Sequence, residues 1–335
     1  MINLKQIFGK GETMDFTEVR GDHYQIGLQI GQATAAKIAA VIYPRPLSPG
    51  FQKRVAALAP IHERAFPHLF AEIKGMAEGS GQDFQRLLAW NLFEQAGCTS
   101  ILSLGPEGFL AHTEDGNAVF RGRLTLVKMH LPDGSTALSL QYPGELGGNA
   151  VSVTSQGLVF SVNYLFPKRL ANLGYSANFL ARELLGALSL EEVQEGLAAW
   201  RPRVDVYHWF VYSRAEKAAL SIEVLVDRES AVRLEEGIHF HTNHYLHADA
   251  RDEPQEEYPS SRARLGRLLR LFRGPATVER AQLVLSDHKG KWPICRHGGE
   301  DSLTLANVLV DLNTLQMAVA EGPTCQTRKY LQASV

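Results

Sequence analysis

The chain has 335 residues, 45% of them hydrophobic and 21% charged, which is enough apolar content for a packed core and excludes general disorder. Its 34 basic and 36 acidic residues give a formal net charge of −2, so a broad electrostatic surface for nucleic acid or for an anionic membrane is excluded as well. No apolar run approaches the roughly 20 residues of a membrane helix, the N-terminal residues lack a secretion-signal pattern, and the three cysteines cannot all pair. We therefore expect a globular, cytoplasmic protein with reduced thiols.

The residues up to about 97 are predicted to be helical. Apolar residues recur there at a helical period, and two glycines four residues apart lie on the same helix face: Tyr24, Leu28, Ala35 and Ile38, with Gly27 and Gly31. Glycines at that spacing let another backbone come close, which offsets their cost in a helix. Further helices are predicted over 67–79 and, with Asp83 as the N-cap, over 83–95.

Strand patterns begin after Gly97. Strand-like runs separated by turns lie at 109–112, 118–131, 136–141, 150–153 and 158–164. Helices are predicted next over 176–188 and 190–200, followed by strands over 206–212, 218–226, 231–234 and 238–242. Helices over 260–271 and 277–286 and a hairpin of 303–311 with 315–320 close the chain, and the charged segment 248–260 predicts a surface loop. Helices grouped around antiparallel strands indicate an α+β fold, and no nucleotide-binding glycine motif stands in a strand-to-helix context.

The segment Gly97-Cys98-Thr99-Ser100 lies where the helical pattern gives way to strands. A lone cysteine is commonly a small buried apolar residue. A glycine before it, however, can hold the strained backbone that an attack of the thiol on its own preceding carbonyl requires. Cleavage there would make Cys98 N-terminal, and its α-amino group, with an ordinary pKa of roughly 7.7–8.0, would serve as the base for the thiol.

Other polar segments each allow a structural and a functional interpretation. The run from His112 to Asn117 is either a turn or a source of carboxylates that orient an amine. Asn243 stands at a predicted strand end and can donate to an oxyanion. Ser260 and the following arginines are typical of a capped helix, and Cys295 with His297 is a weak candidate for a thiol–imidazole pair.

Together these segments resemble the acyl-coenzyme A:6-aminopenicillanic acid acyltransferases, self-processing enzymes with an N-terminal-nucleophile hydrolase fold. The motifs that carry the resemblance are Gly21-x-x-Tyr24-x-x-Gly27-x-x-x-Gly31, Gly97-Cys98-Thr99, Glu114-Asp115, Thr242-Asn243-His244, Ser261-x-x-Arg264, Ile294-Cys295-Arg296 and Thr304-Leu305-x-Asn307. Cys98-Thr99-Ser100-Ile101 is also similar to the nucleophile segment of the acid ceramidases, and the choloylglycine hydrolases are a further related family.

The resemblance implies a four-layer αββα sandwich with antiparallel sheets between helical layers. It implies one structural domain that self-cleaves between Gly97 and Cys98 into a helical segment 1–97 and a catalytic part 98–335, the prospective α and β chains. It assigns catalytic roles to Cys98 as nucleophile, Asp115 as the aspartate at its amine, Asn243 in the oxyanion hole, and Arg296. The supporting arginine is either Arg262 or Arg264, because the helix register is ambiguous.

The resemblance also implies a small-molecule acyl amide or acyl thioester substrate and neither a cofactor nor a metal. His112 stands where related families have an arginine, and Thr154 stands where the choloylglycine hydrolases have an asparagine. We assign these two residues, with Glu114 and His244, to substrate binding. Assembly into a homo-oligomer is left open.

Two other functions stay open at this point. A metal-dependent hydrolase would use His239, His241 and His244, with His247 as a further ligand, because imidazole nitrogens bind Zn²⁺. A catalytically degenerate binding module would keep the fold without the chemistry.

Overall fold

The computed structural model describes residues 9–10, 14–42, 48–92, 97–298, 302–327 and 329–335. Its helices are α1 His23–Val41, α2 Pro49–Ala65, α3 Pro67–Ser80, α4 Phe84–Asn91, α5 Ala177–Leu184, α6 Leu190–Ala199, α7 Pro259–Leu271 and α8 Val278–Leu285. Its strands are β1 Gly9–Lys10, β2 Asp15–Arg20, β3 Gly97–Leu104, β4 Phe109–Gly116, β5 Thr125–His130, β6 Thr136–Gln141, β7 Ser152–Thr154, β8 Leu158–Tyr164, β9 Tyr207–Ser213, β10 Ala218–Val224, β11 Glu229–Leu234, β12 Gly237–His241, β13 Leu303–Asp311, β14 Met317–Glu321 and β15 Lys329–Ala333.

The described strands form two sheets. One has seven strands in the order β1-β15-β14-β13-β4-β3-β12, and the other has eight in the order β11-β10-β9-β8-β7-β6-β5-β2. Neighbouring strands run antiparallel except for β1 beside β15 and β2 beside β5, which run parallel. The predicted antiparallel arrangement is therefore confirmed for the interior of both sheets, and the parallel pairs are confined to the edges.

Three apolar clusters separate four layers. Between the sheets, Leu110 and Val308 of one sheet belong to the same cluster as Leu140 of the other. The outer face of the seven-stranded sheet packs Ile101, Phe109 and Leu309 with Leu268, Val284 and other side chains of α7 and α8. The outer face of the eight-stranded sheet packs Val127 and Phe160 with side chains from the helices α1 to α6. Because successive strand residues point to opposite faces, each buried strand supplies both layers, and the predicted αββα sandwich is confirmed.

Helices α1 and α3 pack backbone to backbone. A Cβ added to Gly27 would lie 1.8 Å from the Glu72 carbonyl oxygen, and one added to Gly75 would lie 2.0 Å from the Tyr24 carbonyl oxygen. Gly31 and Gly79 are equally close to the opposite helix. The predicted close approach at the two α1 glycines is confirmed, and α3 contributes two glycines to the same contact.

The N-terminal part contains more than helices, which corrects the expectation for residues up to 97. Asp15–Arg20 forms the edge strand β2, in which Val19 is the one fully buried residue, so the segment carries too short an apolar alternation to be recognised. Helix α2 was not predicted because its buried residues, Val55, Leu58 and His62, form a sparse apolar stripe. Strand β15 was missed as well, and the predicted strand 118–131 divides into a short 3₁₀ turn and β5. None of the described helices has the length and apolar character needed to cross a membrane.

Strand β3 positions the candidate site. It lies between β4 and β12, and all of its residues are buried. The antiparallel register with β4 places Gly97 opposite Asp115 and Cys98 opposite Glu114. The register with β12 places Ser100 opposite His241, two residues before Asn243.

Candidate active site at Cys98

The Cys98 thiol lies inside the sandwich, and 2% of the residue surface is exposed. Its Sγ donates a hydrogen bond to Glu114 Oε1 across 3.2 Å. Burial raises the pKa of the Cys98 thiol well above its ordinary value, and the Glu114 carboxylate raises it further. The thiol is therefore neutral in this structure, with an acceptor for its proton already in contact.

Glu114 is held by further hydrogen bonds. The Tyr142 hydroxyl donates to Glu114 Oε1 at 2.9 Å, and His112 Nε2 lies 2.9 Å from Oε2. His112 Nδ1 in turn lies 2.9 Å from Ser100 Oγ, which donates to Asn163 Oδ1 at 2.7 Å. Our prediction assigned His112 and Glu114 to substrate binding. The structure places Glu114 on the thiol and His112, completely buried, behind it, and their role toward a substrate stays a prediction.

The backbone nitrogen of Cys98 faces Asn243. This N–H donates to Asn243 Oδ1 at 3.2 Å, while Asn243 Nδ2 donates to the Tyr164 carbonyl at 2.8 Å. The Asn243 backbone N–H donates to Ser261 Oγ at 2.7 Å, which fixes the residue after β12 ends. Asn243 lies at the site as predicted, but it is the side-chain oxygen, and not the donor expected for an oxyanion hole, that faces Cys98.

Arg264 supports the backbone of Cys98 on its carbonyl side. Its Nη1 donates to the Cys98 carbonyl and to Thr99 Oγ1, both at 2.6 Å, and its Nη2 donates to Asn243 Oδ1 at 2.5 Å. Arg264 is completely buried, whereas Arg262 is exposed. The ambiguity between the two arginines is therefore resolved in favour of Arg264. Residues two apart on a helix point about 200° apart, so one of the pair has to face solvent.

Asp115 lies beside the Gly97–Cys98 bond. Its Oδ1 accepts a hydrogen bond from the Thr304 hydroxyl at 2.7 Å, and its Oδ2 lies 3.6 Å from Arg296 Nε. Oδ2 accepts no hydrogen bond from the residues that the structure describes. Burial raises the pKa of Asp115, although the Arg296 and Arg264 guanidinium groups act in the opposite direction. A buried carboxylate oxygen without a donor is a ready acceptor for a new N–H group.

Gly97 is in ordinary strand conformation. It pairs with Asp115 within β3 and is not among the described glycines with positive φ. The structure thus shows an extended backbone at Gly97, and the strain that an attack on its carbonyl would require stays a prediction. A Cβ added to Gly97 would lie 3.6 Å from the Tyr258 hydroxyl, an ordinary van der Waals contact, so the Tyr258 side chain lies directly beside Gly97. Residues 93–96 just before it lie outside the described residues.

Two other predicted residues have different positions. His244 is near the site but does not reach Cys98: its Nδ1 lies 2.7 Å from Ser261 Oγ, and burial lowers its pKa to about 4, so the ring is neutral near pH 7. Thr154 ends β7, where its hydroxyl accepts from the Leu158 N–H at the start of β8, and its role toward a substrate stays a prediction. Asn163, which contacts the Cys98 network, is five residues beyond Leu158 along β8, or about 16 Å from Leu158 at the usual rise per residue.

The histidines considered for a metal-dependent hydrolase do not converge on one point. Each has its own partner: His239 Nε2 faces the Glu236 carbonyl, His241 Nε2 faces Glu223 Oε1, His244 faces Ser261, and His247 faces Ser221 and Ser230. Within the described ranges, metal-ligand atoms do converge in two other groups, Cys98 with His112 and Glu114, and His288 with His297 and Cys325. Cys295 Sγ is 3.9 Å from His297 Nε2, while Cys325 Sγ is 3.1 Å away, so the thiol nearest His297 is not the predicted one.

Sequence reasoning missed two aromatic hydroxyls of the site. Tyr142 follows the last residue of β6 and reaches Glu114 from the other sheet. Tyr258 precedes α7, and its ring packs on Phe166 with 4.3 Å between the centroids. The sequence signal that could have drawn attention to Tyr258 was its position after charged residues and directly before Pro259, at the start of a helix.

The geometry combines three elements of acyl-transfer chemistry at one residue. Cys98 supplies a thiol, Glu114 supplies a proton acceptor, and Arg264 with Asn243 supplies polar groups at the Cys98 backbone. Such an arrangement suits attack by sulfur on a carbonyl carbon and proton transfer to a nearby carboxylate.

A family profile and one curated relative match the sequence. The profile of the acyl-coenzyme A:6-aminopenicillanic acid acyl-transferase family matches residues 103–324, about two thirds of the chain. This match includes Asp115, Asn243, Arg264 and Arg296 and begins after Cys98. The beta-alanyl-dopamine/carcinine hydrolase of Drosophila melanogaster is 25% identical over 224 residues, or 56% of this chain and 58% of that protein. The chain thus matches less than two thirds of the length of this relative.

Two solved structures are similar at low identity. A mutant of the conjugated bile acid hydrolase from Clostridium perfringens has 9% identity and a TM-score of 0.45, over 72% of this chain and 92% of that one. The Caenorhabditis elegans ortholog of N-acylethanolamine-hydrolyzing acid amidase has 12% identity and a TM-score of 0.43, over 64% of this chain and 93% of that one. The family assignment rests on the profile, which covers more than half of the chain: the chain belongs to the acyl-coenzyme A:6-aminopenicillanic acid acyl-transferase family, as its motifs predicted.

Proposed function

We propose that the protein is a self-processing cysteine amidohydrolase or acyltransferase that acts on linear amide or acyl thioester bonds through a thioester on Cys98. The observation that carries this proposal is the environment of that one residue. Its thiol faces Glu114 at 3.2 Å, its N–H faces Asn243 at 3.2 Å, and its carbonyl accepts from Arg264 at 2.6 Å. A cysteine that only filled apolar space would need none of these polar partners.

The first reaction is cleavage of the chain. Cys98 Sγ attacks the Gly97 carbonyl carbon while the thiol proton passes to Glu114. The Gly97–Cys98 C–N bond then breaks, the released nitrogen takes that proton from Glu114, and Gly97 is left as a thioester on Sγ. Water hydrolyses the thioester to a Gly97 carboxylate and restores the thiol. Glu114 is suited to the proton transfer because its Oε1 already accepts the S–H hydrogen bond.

Cleavage gives Cys98 a free α-amino group. Asn243 Oδ1 already accepts from this nitrogen, and Asp115 Oδ2 is the buried oxygen without a donor near the same bond. We assign these two oxygens to hold the new amine. With an ordinary pKa of roughly 7.7–8.0, the amine then accepts the thiol proton in each catalytic cycle. Arg264 Nη2 donates to the same Asn243 oxygen, so we assign Arg264 to hold that oxygen in position for the amine.

The position of Gly97 indicates where the acyl group of a substrate lies. In the precursor, Gly97 provides the carbonyl that sulfur attacks, so a substrate acyl group takes its place after cleavage. The Tyr258 hydroxyl lies beside Gly97, and the Tyr258 ring packs on Phe166, so we assign these two aromatic side chains to the neighbourhood of the acyl group. The Drosophila relative is named for hydrolysis of β-alanyl-dopamine and carcinine. We therefore propose small-molecule β-alanyl amides as the first substrate class to test.

The decisive measurement is the intact mass of the purified wild-type chain beside the Cys98→Ala chain. We expect wild type to separate into fragments 1–97 and 98–335 and the Cys98→Ala chain to stay whole. Glu107→Gln is the control, because it changes an exposed side chain in the loop between β3 and β4 and should leave cleavage unchanged. The cleaved wild type should then hydrolyse a β-alanyl amide, and Cys98→Ala should not.

Two results would contradict the proposal. A wild-type chain that stays whole would remove the self-processing step and favour a binding module of the same fold. A Cys98→Ala chain that is still cut between residues 97 and 98 would show that another group, or a contaminating protease, cleaves the chain.

A further inference from the structure

A second thiol–imidazole group lies at the surface, apart from the Cys98 network. Cys325 Sγ is 3.1 Å from His297 Nε2, and Cys295 Sγ is 3.9 Å from the same nitrogen. The His288 ring lies 5.4 Å from the His297 ring between centroids. One ligand atom from each of His288, His297 and Cys325 falls within 4.8 Å of the other two. These residues come from three separate segments of the chain, after α8, before β13 and after β14.

We propose that this cluster is a site for Zn²⁺, with His288, His297 and Cys325 as ligands. Cys295, whose Sγ is close to His297 Nε2 but outside the group of atoms within 4.8 Å of one another, would turn in as the fourth. Two thiolates and two imidazoles are a ligand set that Zn²⁺ prefers, and four such ligands give the closed tetrahedral coordination of structural zinc sites. The proposal is independent of the chemistry proposed for Cys98.

The spacing of the atoms fits this ion. Zinc bonds of about 2.3 Å to sulfur and 2.0–2.1 Å to nitrogen in tetrahedral geometry separate the two ligand atoms by about 3.6 Å. The two measured sulfur-to-nitrogen distances, 3.1 Å and 3.9 Å, lie on either side of that value. An ion between these atoms therefore requires each of the two distances to change by about half an ångström or less.

The hydrogen bonds around the rings also suit metal binding. His288 Nδ1 lies 3.2 Å from the Ser286 carbonyl, which fixes Nδ1 as the protonated nitrogen and leaves Nε2 as the ligand. His297 Nδ1 lies 3.2 Å from the side-chain amide of Gln326. When His297 Nε2 binds metal, Nδ1 carries the proton and donates to the Gln326 amide oxygen. This needs only that the amide be turned over, which exchanges two nearly equivalent atoms.

Access distinguishes this cluster from the Cys98 group. His288 and His297 are exposed and Cys325 is partly exposed, so an ion can reach the site from solvent. Cys98, His112 and Glu114 are all buried, and their contacts with one another are already made. The exposed cluster is therefore the one to which we assign the ion.

Zinc here would also affect Arg296. That arginine lies between two proposed ligands, Cys295 and His297, and its Nε is 3.6 Å from Asp115 Oδ2. Holding both neighbours on one ion would fix the backbone from which the guanidinium reaches Asp115. We therefore assign to the zinc a structural role that supports one wall of the Cys98 site.

The test is metal binding to the full chain after treatment with EDTA and a metal-free reductant. We expect one equivalent of Zn²⁺, and Co²⁺ in its place should give the near-ultraviolet charge-transfer band of a cobalt thiolate. His297→Ala and Cys325→Ser should weaken binding by more than about 100-fold, beyond the loss for a group that only hydrogen-bonds to a ligand. His288→Ala removes an exposed ring and decides the question if either of the other variants does not fold. Cys98→Ala is the matched control and should bind like wild type.

Three outcomes would overturn the proposal. Wild type could fail to bind either ion at micromolar concentrations. Binding could disappear in Cys98→Ala, which would place the ion at the Cys98 group. Binding could also persist unchanged in the folded His297→Ala, Cys325→Ser and His288→Ala chains.

Discussion

Glu72 and Glu114 are both buried carboxylates, with 0% and 1% of their surfaces exposed, but their partners differ in kind. Glu72, between α1 and α3 in the helical layer, receives two hydrogen bonds from Arg182 at 3.1 Å and 2.9 Å and one from His23 at 2.9 Å. Burial alone would raise the pKa of Glu72, but Arg182 and His23 bring it below its ordinary value. Glu114, between the sheets, is surrounded by a thiol, a phenol and an imidazole.

The difference lies in which partners can give up a proton. The Arg182 guanidinium keeps its protons at any ordinary pH, so Glu72 is locked in a charged pair. The thiol, phenol and imidazole around Glu114 can each lose theirs, so protons can move within that group. The same residue type at the same burial therefore stabilises the fold in one place and is suited to catalysis in the other.

The strongest way to break this comparison is Glu114→Gln. An amide has almost the same shape as the carboxylate but cannot take the thiol proton, so we expect cleavage between residues 97 and 98 to slow by about 10²–10⁴-fold. The measurement is the time course of intact mass after synthesis of the chain. Glu107→Gln, an exposed change in the loop between β3 and β4, is the control and should cleave normally. Cleavage of Glu114→Gln at the wild-type rate would mean that another group accepts the proton.

Glu72→Gln tests the other half of the comparison. The change leaves Arg182 buried without its counter-charge, so we expect the free energy of unfolding to fall by about 3–5 kcal/mol. Urea unfolding in the Cys98→Ala chain measures this without interference from cleavage. Glu63→Gln is the control, because it removes an exposed ion pair with Lys74 and should cost about 1 kcal/mol or less. A Glu72→Gln chain as stable as its parent would contradict the assignment of Glu72 as a structural partner of Arg182.

Asp205 adds a third buried carboxylate to the comparison of Glu72 with Glu114. Among the described residues, no arginine donates a hydrogen bond to it. It accepts from the Ala177 N–H at 2.6 Å, and burial raises its pKa from 3.8 to about 7. The folded chain thus keeps a proton that the unfolded chain releases between these values, so this group makes stability fall as the pH rises through that range. We expect Asp205→Asn to stabilise the chain by up to about 4 kcal/mol at pH 8 and by about 2 kcal/mol at pH 5.

The measurement is urea unfolding of Asp205→Asn at both pH values in the Cys98→Ala chain. Asp227→Asn is the control, because the Asp227 side chain is 77% exposed and should give a small, pH-independent difference. An Asp205→Asn effect that does not change between pH 5 and pH 8 would mean that Asp205 is ionised in the folded chain throughout.

The sequence predicted those parts of the site that depend on local pattern. Cys98 at the change from helix to strand, Asp115 at the end of the next strand and Asn243 after β12 all lie where the motifs placed them. The close approach at Gly27 and Gly31 was also predictable, because small residues at that spacing have few other uses on a buried helix face.

The other contacts of the site depended on which residues of neighbouring strands lie opposite each other, and no local sequence pattern shows this. Glu114 meets the Cys98 thiol because the loop between β3 and β4 sets these two residues opposite each other, and a shift of one residue would turn Glu114 to the other face. The choice between Arg262 and Arg264 needed the rotation of α7 about its axis. The position of Thr154 at the end of the short strand β7 likewise depended on strand pairing, since its partner there is Ala137 of β6.

Strand β2 determines how the two fragments of the cleaved protein would stay associated. It pairs along its whole length with β5, from Asp15 opposite Thr125 to Arg20 opposite His130, and Lys37 Nζ donates to Thr125 Oγ1 at 2.8 Å. These contacts join the two sides of the proposed cut, and the helices α1 to α4 cover apolar side chains of the longer piece. Hydrolysis of one peptide bond would therefore turn a single chain into an obligate heterodimer. Its smaller subunit would complete a sheet that the larger one cannot close alone, so neither fragment should refold productively without the other.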